Sequence, residues 1–115
     1  MLKHEYPTNQ FLSTGIKVID IRTRGEWQQT GILKNSIPIT FFDEFGRYDT
    51  RKFISEIESH ISKDEKFAII CRTGHRTIDV GEFLTSKGFN VVNLIGGIYK
   101  VMDTNSFEIV EFKNF

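Results

Sequence analysis

The fold of this chain is decided at Phe67-Ala68-Ile69-Ile70-Cys71-Arg72-Thr73-Gly74-His75-Arg76-Thr77. The four apolar residues lack polar alternation, the pattern of a strand buried on both faces of a parallel sheet. Beyond the polar turn, Val80, Phe83 and Leu84 mark one helical face with Thr77 and Gly81 beside it. Gly88 follows Lys87, where a left-handed residue would end that helix. Val91-Val92-Asn93-Leu94 is the next strand candidate, completing a strand–helix–strand crossover of the right-handed kind.

Two further apolar runs, Val18-Ile19-Asp20-Ile21 and Ser36-Ile37-Pro38-Ile39, predict strands upstream. Phe53, Ile57 and Ile61 recur at four-residue steps and predict a helix capped by Asp49 or Thr50. Phe107 to Phe112 reads as an edge strand in preference to a packed extension, and Pro7 to Ser13 as a short helix with Pro7 at its start. The expected fold class is α/β, a mainly parallel sheet covered by helices. A length of 115 residues suits one core, and no repeat or linker composition divides it, so residues 1–115 are expected to form a single domain.

Fifteen Lys and Arg balance fifteen Asp and Glu, so no positive excess drives binding to a phosphate backbone or an anionic membrane. Neither nucleic acid nor membrane is expected as a partner. The opening residues carry no signal-like apolar run, and no window approaches the ~20 apolar residues of a membrane span, so a cytoplasmic location is expected. One cysteine closes no internal disulfide and builds no thiolate metal cage. His4, His60 and His75 lack ligand spacing, so neither a metal nor a cofactor is expected.

What remains for Cys71 is burial or reactivity. Ligands of open α/β sheets bind beyond the carboxyl ends of the strands, where the positive end of the next helix also points. Gly74, free to adopt positive φ, allows the loop to turn amides inward around the sulfur, and such donors favour thiolate over thiol. Arg72 and Arg76 add forked donors suited to an oxyanion. An isolated cysteine at a strand end reads as a small buried hydrophobe; two arginines and a glycine around it argue for function.

The loop Cys71-Arg72-Thr73-Gly74-His75-Arg76-Thr77 closely resembles the active-site loop of single-domain rhodaneses, the thiosulfate sulfurtransferase family. Val18-Ile19-Asp20-Ile21-Arg22-Thr23 with Glu26-Trp27 resembles that family's first motif, and Asn93-Leu94-Ile95-Gly96-Gly97-Ile98 its last; the likeness runs from about residue 17 to 98. It implies a rhodanese-like three-layer α/β/α fold. It also implies double displacement: Cys71 takes the outer sulfur of a small anionic donor such as thiosulfate. The resulting persulfide then passes sulfur to a thiol or cyanide-like acceptor, or to a sulfur-accepting protein. Carried over by residue, Arg72, Thr73, Gly74, His75, Arg76 and Thr77 would bind substrate and stabilise the anionic sulfur. The chain departs from the family at Gly31–Ser36, which lacks its usual histidine and proline, and at Tyr99–Met102, where a tryptophan is common.

Asp20, Arg22 and Glu26 are expected to be structural, with Arg22 and Glu26 paired and Asp20 bonding backbone. His75 reads equally as a substrate donor or an idle loop residue. Gly96 and Gly97 suit a tight strand-to-helix turn, and Phe41, Phe42 and Phe45 suit core packing or an edge cover in preference to a substrate mouth. A cysteine-dependent phosphatase is the nearest rival, but its signature arginine would stand at Thr77, one residue beyond Arg76. A non-catalytic interaction or redox-sensing module is the other alternative.

Overall fold

The computed structural model describes residues 1–113. In chain order these form β1 (Lys3–Glu5), α1 (Asn9–Leu12), β2 (Lys17–Asp20), α2 (Arg24–Thr30), β3 (Ile32–Leu33), β4 (Ile37–Pro38), α3 (Thr50–Glu58), β5 (Lys66–Ile70), α4 (Arg76–Ser86), β6 (Asn90–Leu94), α5 (Gly97–Thr104) and β7 (Ile109–Val110). Five strands build one sheet in the order β1-β6-β5-β2-β4, and every pair in it is parallel.

Strand alternation sends successive side chains to opposite faces, and both faces are covered. Ile19, Phe67, Ile69 and Val91 pack with Phe53 and Ile57 of α3 and Val80 and Leu84 of α4. Val18, Ala68, Ile70, Val92 and Leu94 pack on the other side with Leu12 of α1 and Ile98 and Val101 of α5. The result is a three-layer α/β/α fold. Burial of both faces explains why the strand runs carry no polar alternation.

Local signals set the helix ends. Asp49 caps α3 by accepting the Lys52 amide at 3.1 Å, and Gly88 takes φ +93° just past α4. The predicted α3 stops at Glu58, and Ile61 packs from the turn that follows, its amide bonded to the Ile57 carbonyl. The N-terminal helix begins at Asn9, two residues past Pro7, because Thr8 supplies the cap through its hydroxyl to the Phe11 amide.

Three elements depart from expectation. β1 is polar and exposed along its length, yet it forms an edge of the main sheet. Main-chain pairing with β6 holds it, while the adjacent Leu2 is buried in the core. α2 carries little apolar periodicity and is fixed by a reciprocal capping box between Thr23 and Glu26. The tail forms β7, but it pairs antiparallel with β3 in a separate two-stranded sheet and not with an edge of the main one. Phe112 then lies against Trp27 of α2, ring centroids 5.3 Å apart.

At the carboxyl end of β2, Asp20 and Arg22 are both wholly buried. The expected Arg22–Glu26 ion pair does not form. Residues two apart on an extended segment share a face, so Arg22 meets Asp20 first: its Nη2 donates to Asp20 Oδ2 at 2.8 Å and its Nε to both carboxylate oxygens. Thr30 Oγ1 and the Gly31 carbonyl accept the remaining guanidinium bonds, tying the start of α2 to its end. Asp20 also accepts the Arg22 amide at 3.1 Å, the backbone bond expected of it.

Removing one partner of a buried pair strands the other charge, which costs about 3–5 kcal/mol. Asp20→Ala is therefore expected to lower unfolding free energy by about that amount in urea titrations; a loss under ~1 kcal/mol would mean that Arg22 finds water.

Candidate active site

β5 ends at Ile70 and α4 begins at Arg76, so Cys71 to His75 span the gap at the carboxyl edge of the sheet. Gly74 takes φ +95°, which aims its amide at the sulfur: Gly74 N–H to Cys71 Sγ is 3.1 Å. Thr77, in the first turn of α4, places Oγ1 3.5 Å from the same sulfur. Among the described residues Gly74 is the one amide that bonds Sγ, fewer than the expected ring of donors. The reason is local, since His75 already has helical backbone and the chain turns along the axis of α4 from there. No side chain caps α4, so its positive end is left facing the loop.

The sulfur is wholly buried and packs among the apolar residues of the α3/α4 face. The rim of the loop is exposed at Arg72, Thr73 and His75, where Thr73 Oγ1 and His75 Nδ1 lie 3.2 Å apart. A cleft of about 640 Å³ lies between β4 and α3 and does not include Cys71. Phe41, Phe53 and Trp27 line it. Phe41 and Phe42 join the core as expected, whereas Phe45 is 77% exposed, with the Arg47 guanidinium 4.8 Å from its ring centroid.

Both loop arginines meet one carboxylate. Arg76 forks onto Glu26, Nη1 to Oε1 and Nη2 to Oε2, each at 2.8 Å, and Arg72 Nε lies 3.4 Å from Oε2. The anion expected near Arg76 is thus partly supplied by the protein. Arg22 is taken by Asp20, which leaves Glu26 free for this role.

The loop is also gripped from behind. The carbonyls of Cys71 and Arg72 accept the amides of Ile98 and Tyr99, the first turn of α5, at 2.9 and 3.1 Å. Gly97 makes this approach possible: it has φ +62°, and a Cβ there would lie 2.5 Å from the Cys71 carbonyl oxygen. Sequence reasoning found the two glycines but not this grip. It also missed Asn93, whose Oδ1 accepts the Thr77 hydroxyl; a polar residue inside an apolar strand run was the available signal.

A family model for the rhodanese-like domain matches residues 8–104. The chain belongs to the rhodanese-like domain family. Protein HIGH ARSENIC CONTENT 1, mitochondrial, of Arabidopsis thaliana is 32% identical over 95 residues, covering 82% of this chain and 56% of that protein. This rhodanese-like chain therefore spans little more than half of that relative. Thiosulfate sulfurtransferase 18 of the same plant is 24% identical over 102 residues, covering 85% of this chain and 74% of its own length. Among solved structures, a rhodanese-related protein from Thermoplasma volcanium superposes with TM-score 0.65 at 25% identity, covering 94% of this chain and 99% of its own. No helix among the described residues is long and apolar enough to cross a membrane.

Within this rhodanese-like site, Glu26 has an acidity of its own. Burial pushes its carboxyl up, but the Arg76 fork, the Thr23 amide and the charges of Arg76 and Arg72 outweigh it and hold the pKa at about 2, down from 4.5. Reciprocally, the Glu26 hydrogen bonds raise Arg76 against its own burial, aided by the charges of Glu26, Cys71 and Asp20. A depressed carboxyl pKa contributes stability above the unfolded value and loses it as pH falls through the folded one. The Glu26 contribution is thus complete above about pH 4.5 and gone below about pH 2. Glu26→Gln is expected to flatten the stability-against-pH curve across that window, leaving the slope due to Asp43 and Glu65, whose carboxyls are also held low. An unchanged slope in urea midpoints would deny the pair its role.

Gly97→Ala meets both a positive φ and a backbone carbonyl. A strained φ of this kind costs of order 1–3 kcal/mol, and the urea midpoint is expected to fall accordingly. A wild-type midpoint would show that the loop yields freely.

Proposed function

We propose that this rhodanese-like protein is a sulfurtransferase that carries sulfane sulfur on Cys71. The observation that supports this best is the sulfur's setting: one amide and one hydroxyl directed at Sγ, at the uncapped start of α4, with Arg76 fixed beside it. Negative charge on sulfur is favoured by such donors. A purely structural cysteine needs none of them.

The reaction runs in two displacements. The Cys71 thiolate attacks the outer sulfur of a donor such as thiosulfate; the bond between its two sulfurs breaks, and sulfite leaves with the electron pair. The product is a Cys71 persulfide, whose terminal anion the Gly74 amide and the helix end can hold. An acceptor thiolate or cyanide attacks that terminal sulfur, the S–S bond breaks, and the Cys71 thiolate returns. Electrons and atoms balance without a cofactor. Because Sγ is buried, the donor reaches it only when the loop shifts, and exposed Arg72, held loosely by Glu26, is the cation free to meet an incoming anion. Thr73 and His75 form the rim it passes, Gly74 supplies the amide, and Thr77 supports the sulfur from below.

A phosphoryl-transfer reading fares worse. Seating a tetrahedral phosphoryl group needs a bidentate guanidinium, and both Nη atoms of Arg76 already face Glu26. The names of two relatives, Thiosulfate sulfurtransferase 18 and the putative sulfurtransferase YtwF of Bacillus subtilis, point the same way.

Intact mass after thiosulfate treatment tests the proposal. The wild type is expected to gain one sulfur atom that a reductant removes, and Cys71→Ala to gain none. No gain in the wild type, or equal gain in the variant, refutes it.

A further inference from the structure

Hydrogen bonds continue past Thr77 to the opposite edge of the sheet. The Thr77 hydroxyl lies 2.5 Å from Asn93 Oδ1, and Asn93 Nδ2 lies 3.0 Å from Nδ1 of His4. The register explains the alignment: His4 of β1 pairs with Asn93 of β6, and Asn93 with Ile69 of β5, so all three residues share a face. Cys71 lies two residues past Ile69 and keeps that face, toward α4. An exposed histidine on the edge strand is thus joined to the buried sulfur through two buried polar side chains, Asn93 and Thr77.

The chain of bonds has a direction. A hydroxyl has one proton, an amide presents its oxygen on one side and its nitrogen on the other, and an unprotonated ring nitrogen only accepts. With His4 Nδ1 accepting, Asn93 turns its oxygen to Thr77, the hydroxyl donates there, and Thr77 is left to accept from a thiol S–H. With His4 Nδ1 protonated, the amide reverses, Thr77 accepts from Asn93, and its freed hydroxyl proton turns to the side where the Gly74 carbonyl lies at 3.2 Å and Sγ at 3.5 Å, a negative sulfur being the stronger acceptor of the two. No proton crosses the amide; only the polarity of each bond changes.

We propose that His4 is a positioning residue whose ring state sets, through Asn93 and Thr77, whether the Cys71 site favours thiol or sulfur anion. A donor at position 4 supports the thiolate and, on the sulfurtransferase reading on which its use in catalysis rests, the persulfide anion too. The coupling is reciprocal, as any linkage between two binding equilibria must be. Other charges near the two ends act through space. Glu82 of α4 and the Met1 segment share the cleft beside His4, Lys3 and Glu5 flank it on β1, and Arg76, with Glu26, stands beside Cys71.

The test fixes polarity at position 4. His4→Lys offers donors only and His4→Glu acceptors only above its own titration. Thiolate formation is followed by its ultraviolet absorbance against a Cys71→Ala blank, at about 1 M salt, where the Debye length is about 3 Å and through-space effects fade. The Cys71 midpoint is expected to lie about half to one pH unit lower in His4→Lys than in His4→Glu, since a hydrogen bond to the charged form lowers a thiol pKa. The gap is expected to persist in Thr77→Ser and to close in Thr77→Val. Equal midpoints, a gap that disappears at high salt, or one that survives Thr77→Val would each overturn the proposal. Sulfur transfer is not part of this readout: coupling without persulfide formation would sink the functional reading alone, and persulfide formation without coupling would sink this one alone.

Discussion

Two main-chain carbonyls, those of Cys71 and Arg72, are held by the first amides of α5, and the geometry around the sulfur depends on that grip. A carbonyl turned toward a sulfur anion would repel it; bound to Ile98 and Tyr99, these two are taken out of competition. The Gly74 amide is then the main-chain group presented to Sγ. The loop can bend this tightly because its neighbour across the sheet edge carries no Cβ at Gly97. Cys71 and Gly97 follow the carboxyl ends of β5 and β6, two adjacent parallel strands, so the parallel topology itself brings them together.

Charge is arranged in two separate units at this edge. Asp20 and Arg22 neutralise each other in the interior and tie the segment before α2 to its carboxyl end, through Thr30 and Gly31. Braced in this way, α2 offers Glu26 to the loop arginines. One carboxylate therefore caps its own helix, fixes Arg76 and loosely restrains Arg72. A family motif that looks catalytic in sequence, with acid, base and cation close together, serves here mainly to hold other groups still.

Much of this was legible beforehand, and the reasons differ by element. The central strands and α4 were readable because burial on both faces leaves unbroken apolar runs and because Gly88 and Asp49 mark helix ends by backbone chemistry alone. β1 was not, since an edge strand is held by main-chain bonds that any side chain permits, and Lys3, His4 and Glu5 say nothing of them. The cysteine and its loop stood out through residue type. Their partners did not: the choice of Asp20 over Glu26 by Arg22 follows from which face each residue occupies, and the α5 grip and Asn93 link are contacts between segments far apart in the chain. The ring of amide donors around the sulfur is thinner than the loop's residue types suggest because the backbone is already helical at His75, the N-cap of α4.

The two-stranded ribbon of β3 and β7 bears on how far the domain extends. The family model ends at Thr104, before the ribbon's second strand. Yet Phe112 rests on Trp27, the immediate neighbour of the carboxylate that restrains both arginines, and the Val110 carbonyl sits where a Cβ on Gly31 would fall. A chain cut at the family boundary would keep every recognisable motif and lose the clasp that presses α2 into place. The family match stops at residue 104; packing onto α2, in this molecule, continues to Phe112.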